Sequence, residues 1–224
     1  KKNSLPVALI VSKNTFSENL IKKNEAVFNS SLSRYKSIEY IVSHYKKDLV
    51  VCTTGKASRE LFEIRKKGNS PMSDFLSVGS MGHASSIAMG IAIGCKERKI
   101  ICIDGDGSLI MHMGSLGIIG NKKVSNLKHF LINNGCHESV GGQITAGSTI
   151  EFSKIAKACG YSFVAKCKTI KQLERAIIKS HNYKGPIFIE IQVNNNSIKN
   201  LSRPNKSPIE NKDNFVKFLN KKKK

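Results

Sequence analysis

The sequence predicts an α/β protein built on a doubly wound, mainly parallel sheet with helices on both faces. Short apolar runs without helical spacing, of which residues 99–104 form the clearest, are typical of strands that are covered on both faces. Along the chain these runs alternate with segments of helical periodicity, as expected for strands that are joined by crossover helices. The two observations together predict the fold class.

The elements follow this alternation from the amino terminus onwards. Residues 5–12 predict a single strand with no partner before it in the sequence, and residues 14–33 are polar and predict a helix that leads into a linker. Residues 33–45 have helical spacing, with Ser33 as the expected N-cap. The later strands are predicted at 49–52, 75–78, 99–104, 126–132, 163–166 and 186–193, and the helices at 57–67, 83–95, 151–159, 170–181 and 211–219, with one more ending at 119.

Composition limits the function classes. The net charge is +21, with 37 Lys and Arg against 16 Asp and Glu, but the lysines are spread over the chain without interleaved aromatic residues. This favours a compositional bias over a nucleic-acid-binding surface, although such a field would attract anionic ligands. No apolar run approaches the roughly 20 residues of a membrane span, and six cysteines without metal spacing are predicted to be reduced and mostly buried. We expect a cytoplasmic protein that binds neither nucleic acid nor membrane.

Hard oxygen donors follow two neighbouring predicted strands. Gly105-Asp106-Gly107-Ser108 comes after one strand, and Asn133-Asn134-Gly135 ends the next. Open α/β sheets bind ligands at this carboxyl edge, and magnesium prefers oxygen ligands. Asp106 offers a carboxylate, Asn134 an amide oxygen and Cys136 a backbone carbonyl. Glycines beside Asp106 and the amides of Gly107 and Ser108 at a helix start favour a phosphate group.

An acidic residue between glycines is by itself more often a simple turn. A dinucleotide site is the other alternative, but the third glycine of its fingerprint is absent. The sequence around these residues resembles the cofactor motif of thiamine diphosphate enzymes, and segments 53–60, 79–86, 104–113 and 133–143 resemble the thiamine diphosphate-dependent 2-oxo acid decarboxylases. Within them the similarity is greatest to phosphonopyruvate decarboxylases, and sulfopyruvate decarboxylase β subunits are related.

The resemblance implies a thiamine diphosphate-binding fold and roles for individual residues. Met81 would bend the cofactor and the carbonyl of Gly79 would accept a hydrogen bond from its aminopyrimidine, whereas Thr54 and Gly55 would also suit a plain helix start. His83 and His137 are candidates for proton transfer or for holding an anionic substrate, and either is equally a structural hydrogen-bond donor. The implied cofactor-binding set is Thr54, Gly55, Gly79, Ser80, Met81, Gly105, Asp106, Gly107, Ser108 and Asn134, and the implied magnesium ligands are Asp106, Asn134 and the Cys136 carbonyl.

The resemblance also implies a domain organisation. Residues 1–16 would be the last strand of a missing pyrimidine-binding domain, 17–35 a linker, 36–195 the thiamine diphosphate-binding domain, and 196–224 a basic, partly disordered tail. The missing domain, or an α subunit, would supply a glutamate that activates the cofactor, so a homo- or hetero-oligomer is expected. The implied reaction is the magnesium-dependent decarboxylation of a small anionic 2-oxo acid, phosphonopyruvate to phosphonoacetaldehyde. The alternatives are a sulfopyruvate decarboxylase β subunit and an inactive cofactor-binding remnant.

Overall fold

The computed structural model describes residues 6–12, 15, 27–70, 73–198 and 201–220. The strands are β1 (Leu49–Cys52), β2 (Phe75–Leu76), β3 (Ile100–Gly105), β4 (Leu127–Asn133), β5 (Cys136–His137), β6 (Gln143–Ile144), β7 (Phe163–Cys167) and β8 (Ile187–Gln192). The helices are α1 (Arg34–His44), α2 (Lys56–Lys67), α3 (Ala84–Gly94), α4 (Asp106–Met111), α5 (Ser115–Asn121), α6 (Phe152–Ala158), α7 (Ile170–Ser180) and α8 (Pro208–Leu219).

Six strands form one parallel sheet, which confirms the predicted fold class. Their order is β2-β1-β3-β4-β8-β7, and β5 pairs with β6 in a separate antiparallel hairpin. The chain runs outward from β1 to β2 and then returns to β3 on the other side of β1. This reversal opens a crevice at the carboxyl ends of β1 and β3, which is where open α/β sheets bind ligands.

The core lies on both faces of the sheet, which explains the unbroken apolar runs of the strands. On one face, β1, β3 and β8 pack beneath α1, α2 and α7; on the other face, alternate side chains of the same strands pack beneath α3, α5 and α6. All residues of β4 and β8 are buried. A parallel strand with helices above and below it has no solvent face, so apolar residues occupy successive positions.

The predicted helices and strands are formed with shifts of a few residues at their ends. Ser33 caps α1 as predicted, because its side chain accepts a hydrogen bond from the amide of Lys36 at 3.3 Å. The helix predicted to end at residue 119 is instead two helices, α4 and α5, separated by residues 112–114. All six cysteines are free, with Cys95 and Cys159 only half-buried.

The amino-terminal end of the chain differs from the prediction. Residues 6–12 form no strand, and their apolar side chains are exposed, with Val7 at 94% and Ile10 at 91%. A strand requires a neighbouring strand for its hydrogen bonds, and the described residues offer none beside this segment. The rest of the predicted segment 1–16, and residues 17–26 of the predicted linker, lie outside the described residues, apart from Thr15.

The predicted basic tail contains a docked helix. α8 begins at Pro208, three residues before its predicted start, with a capping box formed by Ser207 and Glu210. Phe215 of α8 is buried against the sheet edge, and Asn211 accepts a hydrogen bond from the amide of Leu76 at 3.0 Å. Residues 208–219 therefore belong to the folded domain, whereas residues 199–200 and 221–224 lie outside the described residues. Among the described helices, none is long and apolar enough to cross a membrane.

Candidate functional site

The loops after β1, β2, β3 and β4 meet at the carboxyl edge of the sheet and surround an open cleft. The cleft is open to solvent and has a cavity volume of about 100 Å³. Its lining includes most of the residues that the sequence singles out: Thr54, Met81, Gly105, Asp106, Gly107, Ser108, Asn134, Cys136 and His137. Lys56, which lies in the loop that the resemblance places near the diphosphate, also lines the cleft, and further lining comes from residues that the sequence did not single out: Arg34, Thr53, Ala57, Asp104, Ile132, Glu138 and Ser139.

Asp106 is the buried acidic group of the cleft. It begins α4 directly after β3, and only 3% of it is exposed. Thr145 Oγ1 donates a short hydrogen bond to Asp106 Oδ2. Burial raises the pKa of Asp106 above its ordinary value, and hydrogen bonds from Thr145 and from the amides of residues 106, 134 and 107 oppose that rise. The carboxylate is thus fixed by donors from the loop that covers it.

Three oxygen atoms converge in the cleft, and one of them is a carboxylate oxygen of Asp106. Asn134 Oδ1 lies 2.9 Å from the carbonyl oxygen of Cys136 and 3.2 Å from Asp106 Oδ1. Acceptors at such distances repel one another unless a cation lies between them or the Asn134 amide turns its nitrogen inward to donate to both. The donor set of carboxylate, amide and backbone carbonyl is the one that magnesium prefers. The residues present therefore fit a hard divalent cation.

Ser108 joins three of the loops. Its Oγ accepts a hydrogen bond from Thr53 Oγ1 at 2.9 Å and another from the amide of Gly82 at 3.0 Å. Thr53 follows β1, Gly82 lies before α3, and Ser108 lies in α4, so one hydroxyl fixes the relative positions of three sheet-edge segments. The sequence singles out Ser108 for its amide, whereas the structure gives its side chain this additional structural role.

The loop between β2 and α3 has an unusual backbone. Gly79, Ser80 and Gly82 have φ angles of +70°, +45° and +91°, and a non-glycine residue in this region, such as Ser80, is uncommon and costs free energy. A side chain on Gly82 would lie 2.4 Å from the His112 ring. The loop carries Met81 into the cleft, but Gly79 and Ser80 do not line it.

The two predicted catalytic histidines lie in different surroundings. His137, in β5, lines the cleft and packs so closely on Gly107 that a Cβ there would lie 2.6 Å from its Cε1. His83 is exposed and does not line the cleft; its Nδ1 lies 3.2 Å from the carbonyl oxygen of Ser80, and its ring lies 4.4 Å from the ring of His112. The geometry therefore brings His137, but not His83, together with Asp106.

The glycine-rich segment 135–147 is anchored by an ion-pair network that the sequence did not reveal. Arg34 donates two hydrogen bonds to Glu60, at 2.8 and 3.0 Å, and one to Glu138 at 2.6 Å. Lys56 Nζ lies 2.7 Å from the second oxygen of Glu138, which also accepts a short hydrogen bond from Ser197. Glu138 thus links the covering loop to the start of α1 and of α2.

Burial disfavours the charged forms of Arg34 and Glu60, whereas their ion pairs and hydrogen bonds favour those forms. Burial raises the pKa of Glu60, and the hydrogen bonds and charge of Arg34 act against that rise. For Arg34 burial is the largest influence and lowers its pKa, but Glu60 and Glu138 together outweigh it, so the pKa of Arg34 is raised. No local pattern predicts this network, because Arg34 and Glu138 are 104 positions apart.

The fold and the cleft define an α/β protein with a polar, acid-bearing site at the switch point of a parallel sheet. The sequence profile of a family described as thiamine pyrophosphate enzyme, C-terminal TPP binding domain, matches residues 51–191. A crystal structure described as that of a thiamin diphosphate-dependent enzyme from Mycobacterium smegmatis shares the fold, with a TM-score of 0.59 at 21% identity over 72% of this chain and 32% of that one. The chain belongs to the thiamine pyrophosphate enzyme family and represents its C-terminal cofactor-binding domain.

Two individual proteins are similar in sequence to most of this chain. The chain is 34% identical over 188 residues to phosphonopyruvate decarboxylase of Streptomyces viridochromogenes, covering 84% of this chain and 46% of that protein. It is 32% identical to the sulfopyruvate decarboxylase subunit beta of Methanococcus maripaludis, covering 85% of this chain and 99% of that subunit. The chain thus spans less than half the length of the phosphonopyruvate decarboxylase, and these relatives are decarboxylases.

Proposed function

We propose that this chain is the diphosphate-binding half of a thiamine diphosphate- and magnesium-dependent 2-oxo acid decarboxylase that converts phosphonopyruvate to phosphonoacetaldehyde. The observation that carries the proposal is the convergence of Asp106 Oδ1, Asn134 Oδ1 and the Cys136 carbonyl oxygen in a cleft at the sheet switch point. Membership of the family supplies the cofactor class. The similarity to phosphonopyruvate decarboxylases supports the choice of substrate.

Magnesium would be held by those three oxygens, with the diphosphate completing its coordination. Thr145 keeps the Asp106 carboxylate oriented toward the cation, and the Asn134 amide needs only to keep its oxygen inward. The glycines at 105 and 107 would let the backbone approach a phosphate closely. Thr54 lines the same cleft, whereas Gly55 does not line it and lies next to Ser139. When bound, thiamine diphosphate supplies an electron sink for the loss of carbon dioxide.

The remaining groups of the cleft suit an anionic substrate. Lys56 and Arg34 line it as cations, and His137 lies beside Gly107. Arg34 and Lys56 are paired with Glu60 and Glu138, so they would hold the carboxylate or the terminal anion only by exchanging those partners for substrate. His137 would hold or move a proton. Met81 would support the cofactor ring, while Gly79, Ser80 and His83 lie on the adjoining loop and reach the reaction only if a partner domain closes over it.

The reaction also needs groups from outside this chain. By resemblance, a glutamate of a pyrimidine-binding domain activates the cofactor, so the chain would work with such a domain or with an α subunit, in a homo- or hetero-oligomer. The sulfopyruvate decarboxylase β subunits, at 32% and 34% identity, support sulfopyruvate as the second candidate substrate. Both substrates carry a tetrahedral terminal anion.

Calorimetric titration of thiamine diphosphate with Mg²⁺ into the purified chain, alone and with a matching pyrimidine-binding domain, tests the proposal. We expect binding that Asp106→Ala abolishes and that Asp213→Ala keeps. Asp213 is the matched control, because it is an exposed carboxylate in α8 whose one ion pair among the described residues is with the exposed Lys212. Binding that survives Asp106→Ala would contradict the proposed metal site.

Turnover of phosphonopyruvate and sulfopyruvate by the assembled protein then decides the substrate. Preference for sulfopyruvate would replace the first candidate by the second. Cofactor binding without turnover of either substrate would identify an inactive cofactor-binding protein.

A further inference from the structure

A second cluster of ligand-type side chains lies inside the sheet, beneath the cleft. Cys102 and Asp104 are alternate residues of β3, and His129 of β4 lies directly across from Cys102 in the parallel register. All three side chains are fully buried. Their Sγ, carboxylate and ring-nitrogen atoms lie within 4.8 Å of one another, which among the described residues makes this the one group of three such side chains placed to hold a metal ion.

Two atoms of the cluster are buried without a hydrogen-bond partner. These are Asp104 Oδ2 and His129 Nε2, which face each other at 3.5 Å. A charge-assisted hydrogen bond between such groups would be about 2.7–2.9 Å long. Each unsatisfied buried polar atom costs about 1–3 kcal/mol. The pair is therefore too far apart to satisfy itself, yet both atoms point into the same space.

The other polar atom of each residue is already engaged. Asp104 Oδ1 accepts a hydrogen bond from the amide of Gly105 at 2.9 Å, and His129 Nδ1 lies 3.2 Å from Tyr161 Oη. Metal-ligating histidines usually donate their second ring N–H to an oxygen in this way. If Nδ1 donates to Tyr161, Nε2 presents a lone pair to a carboxylate oxygen, and a cation between the two atoms removes the conflict.

We propose that Cys102 Sγ, Asp104 Oδ2 and His129 Nε2 bind a transition-metal ion, with Zn²⁺ as the expected occupant. One sulfur, one nitrogen and one oxygen ligand suit Zn²⁺ and do not suit Mg²⁺. From zinc–ligand bond lengths of about 2.0–2.2 Å, the nitrogen–oxygen edge of a tetrahedral site is about 3.4 Å, which agrees with the 3.5 Å separation. Three protein ligands leave one coordination position for a water molecule.

This metal would join the two central strands immediately before the turn that carries Asp106. It is distinct from the proposed magnesium site, since Asp106, Asn134 and the Cys136 carbonyl offer only oxygen atoms. Because the ligands are fully buried, the ion would enter while the chain folds. The inference does not depend on the proposed decarboxylase activity.

Refolding of the full chain in the presence of Co²⁺, followed by desalting, tests the site. We expect the chain to retain about one metal ion per molecule and to show a thiolate-to-cobalt charge-transfer band that Cys102→Ala abolishes and Cys52→Ala keeps. Cys52 is the matched control, since it is a fully buried cysteine of the neighbouring strand that packs on the opposite face of the sheet. No retained metal, or a band that persists in Cys102→Ala, would show that the cluster is only a buried histidine–aspartate pair.

A measurement on the native chain covers the case in which Cys102→Ala fails to fold. The chain, purified without chelators and supplied with Zn²⁺ during refolding, is examined by X-ray absorption at the zinc edge. The proposal requires a shell with one sulfur and the remaining ligands nitrogen or oxygen. A shell without sulfur, or one with several sulfurs, overturns it.

Discussion

The two edges of the parallel sheet bury charged groups in opposite ways. At the carboxyl edge, Asp106 and Glu60 are buried together with donors and cations that reach them from neighbouring loops and helices. At the amino edge, Lys128 near the start of β4 is buried, and after burial the charge that lowers its pKa is that of another cation, Lys99. Arg98, which is also buried at this edge, donates instead to backbone carbonyls, among them that of Lys47. The contrast is therefore between Asp106 and Glu60, which have donors or cations as partners, and Lys128, whose charged form is disfavoured by its surroundings.

The largest expected effect is at the carboxyl edge. Arg34→Met leaves Glu60 buried without its two hydrogen bonds and frees Glu138 from one of its cations. Breaking a buried ion pair from one side costs about 3–5 kcal/mol, so we expect a loss of that size in the free energy of unfolding at neutral pH, measured by urea denaturation.

The double variant Arg34→Met, Glu60→Leu is the control for that loss. It removes the unpaired carboxylate together with its partner and should recover much of the stability. In the single variant the loss should shrink at acid pH. The folded-state pKa of Glu60 is raised, so the cost of burying its charge is absent below the pKa of Glu60 in the unfolded chain and is fully present above its folded-state pKa. A loss below about 1 kcal/mol would mean that the network is no stronger than a surface pair.

The sequence predicts features of the site that depend on neighbouring residues, but not contacts between residues that are far apart in the chain. The strands and the acidic turn could be predicted because apolar runs and Gly105-Asp106-Gly107 are local signals. Thr145 and Arg34 could not be assigned to the site, since Thr145 is 39 positions from Asp106 and Arg34 is 104 positions from Glu138. α8 carries a local signal in Ser207 and Glu210, but its burial against β2 depends on Phe215 and on a contact 135 positions away.

A smaller effect tests whether the donor to Asp106 matters for the proposed cation. Thr145→Val keeps the shape of the side chain but removes the hydroxyl that donates to Asp106 Oδ2. Groups that orient metal ligands typically contribute 10–100-fold to metal affinity, so we expect Mg²⁺ and thiamine diphosphate to bind about 10-fold more weakly in calorimetric titration. Thr149→Val is the matched control, because Thr149 is exposed on the same loop and its hydroxyl contacts only the carbonyl of Ala146. Equal affinity of the two variants would mean that Asp106 is held without Thr145.

An effect of similar size and opposite sign is expected at the amino edge. Burial, and then the charge of Lys99, lowers the pKa of Lys128 to about 8. His181 lies near the same two lysines, its ring stacks on His44 at 5.5 Å, and its pKa is also lowered, first by burial. Because the pKa of Lys128 is lower in the folded chain, its contribution to stability is fully present above pH 10.5, the pKa of a lysine in the unfolded chain. That contribution is lost as the pH falls through the folded-state pKa of about 8.

Lys128→Met should therefore stabilise the chain at neutral pH by about 1–2 kcal/mol, after a discount for solvent screening. Urea denaturation at each pH should show that the free energy of unfolding of the native chain increases between pH 7 and pH 10. The variant should show no such increase. Lys154→Met on α6 is a control that changes the net charge by the same amount at an exposed position. A variant that is less stable than the native chain at pH 7 would mean that Lys128 finds a favourable partner, and the contrast between the two edges of the sheet would then fail.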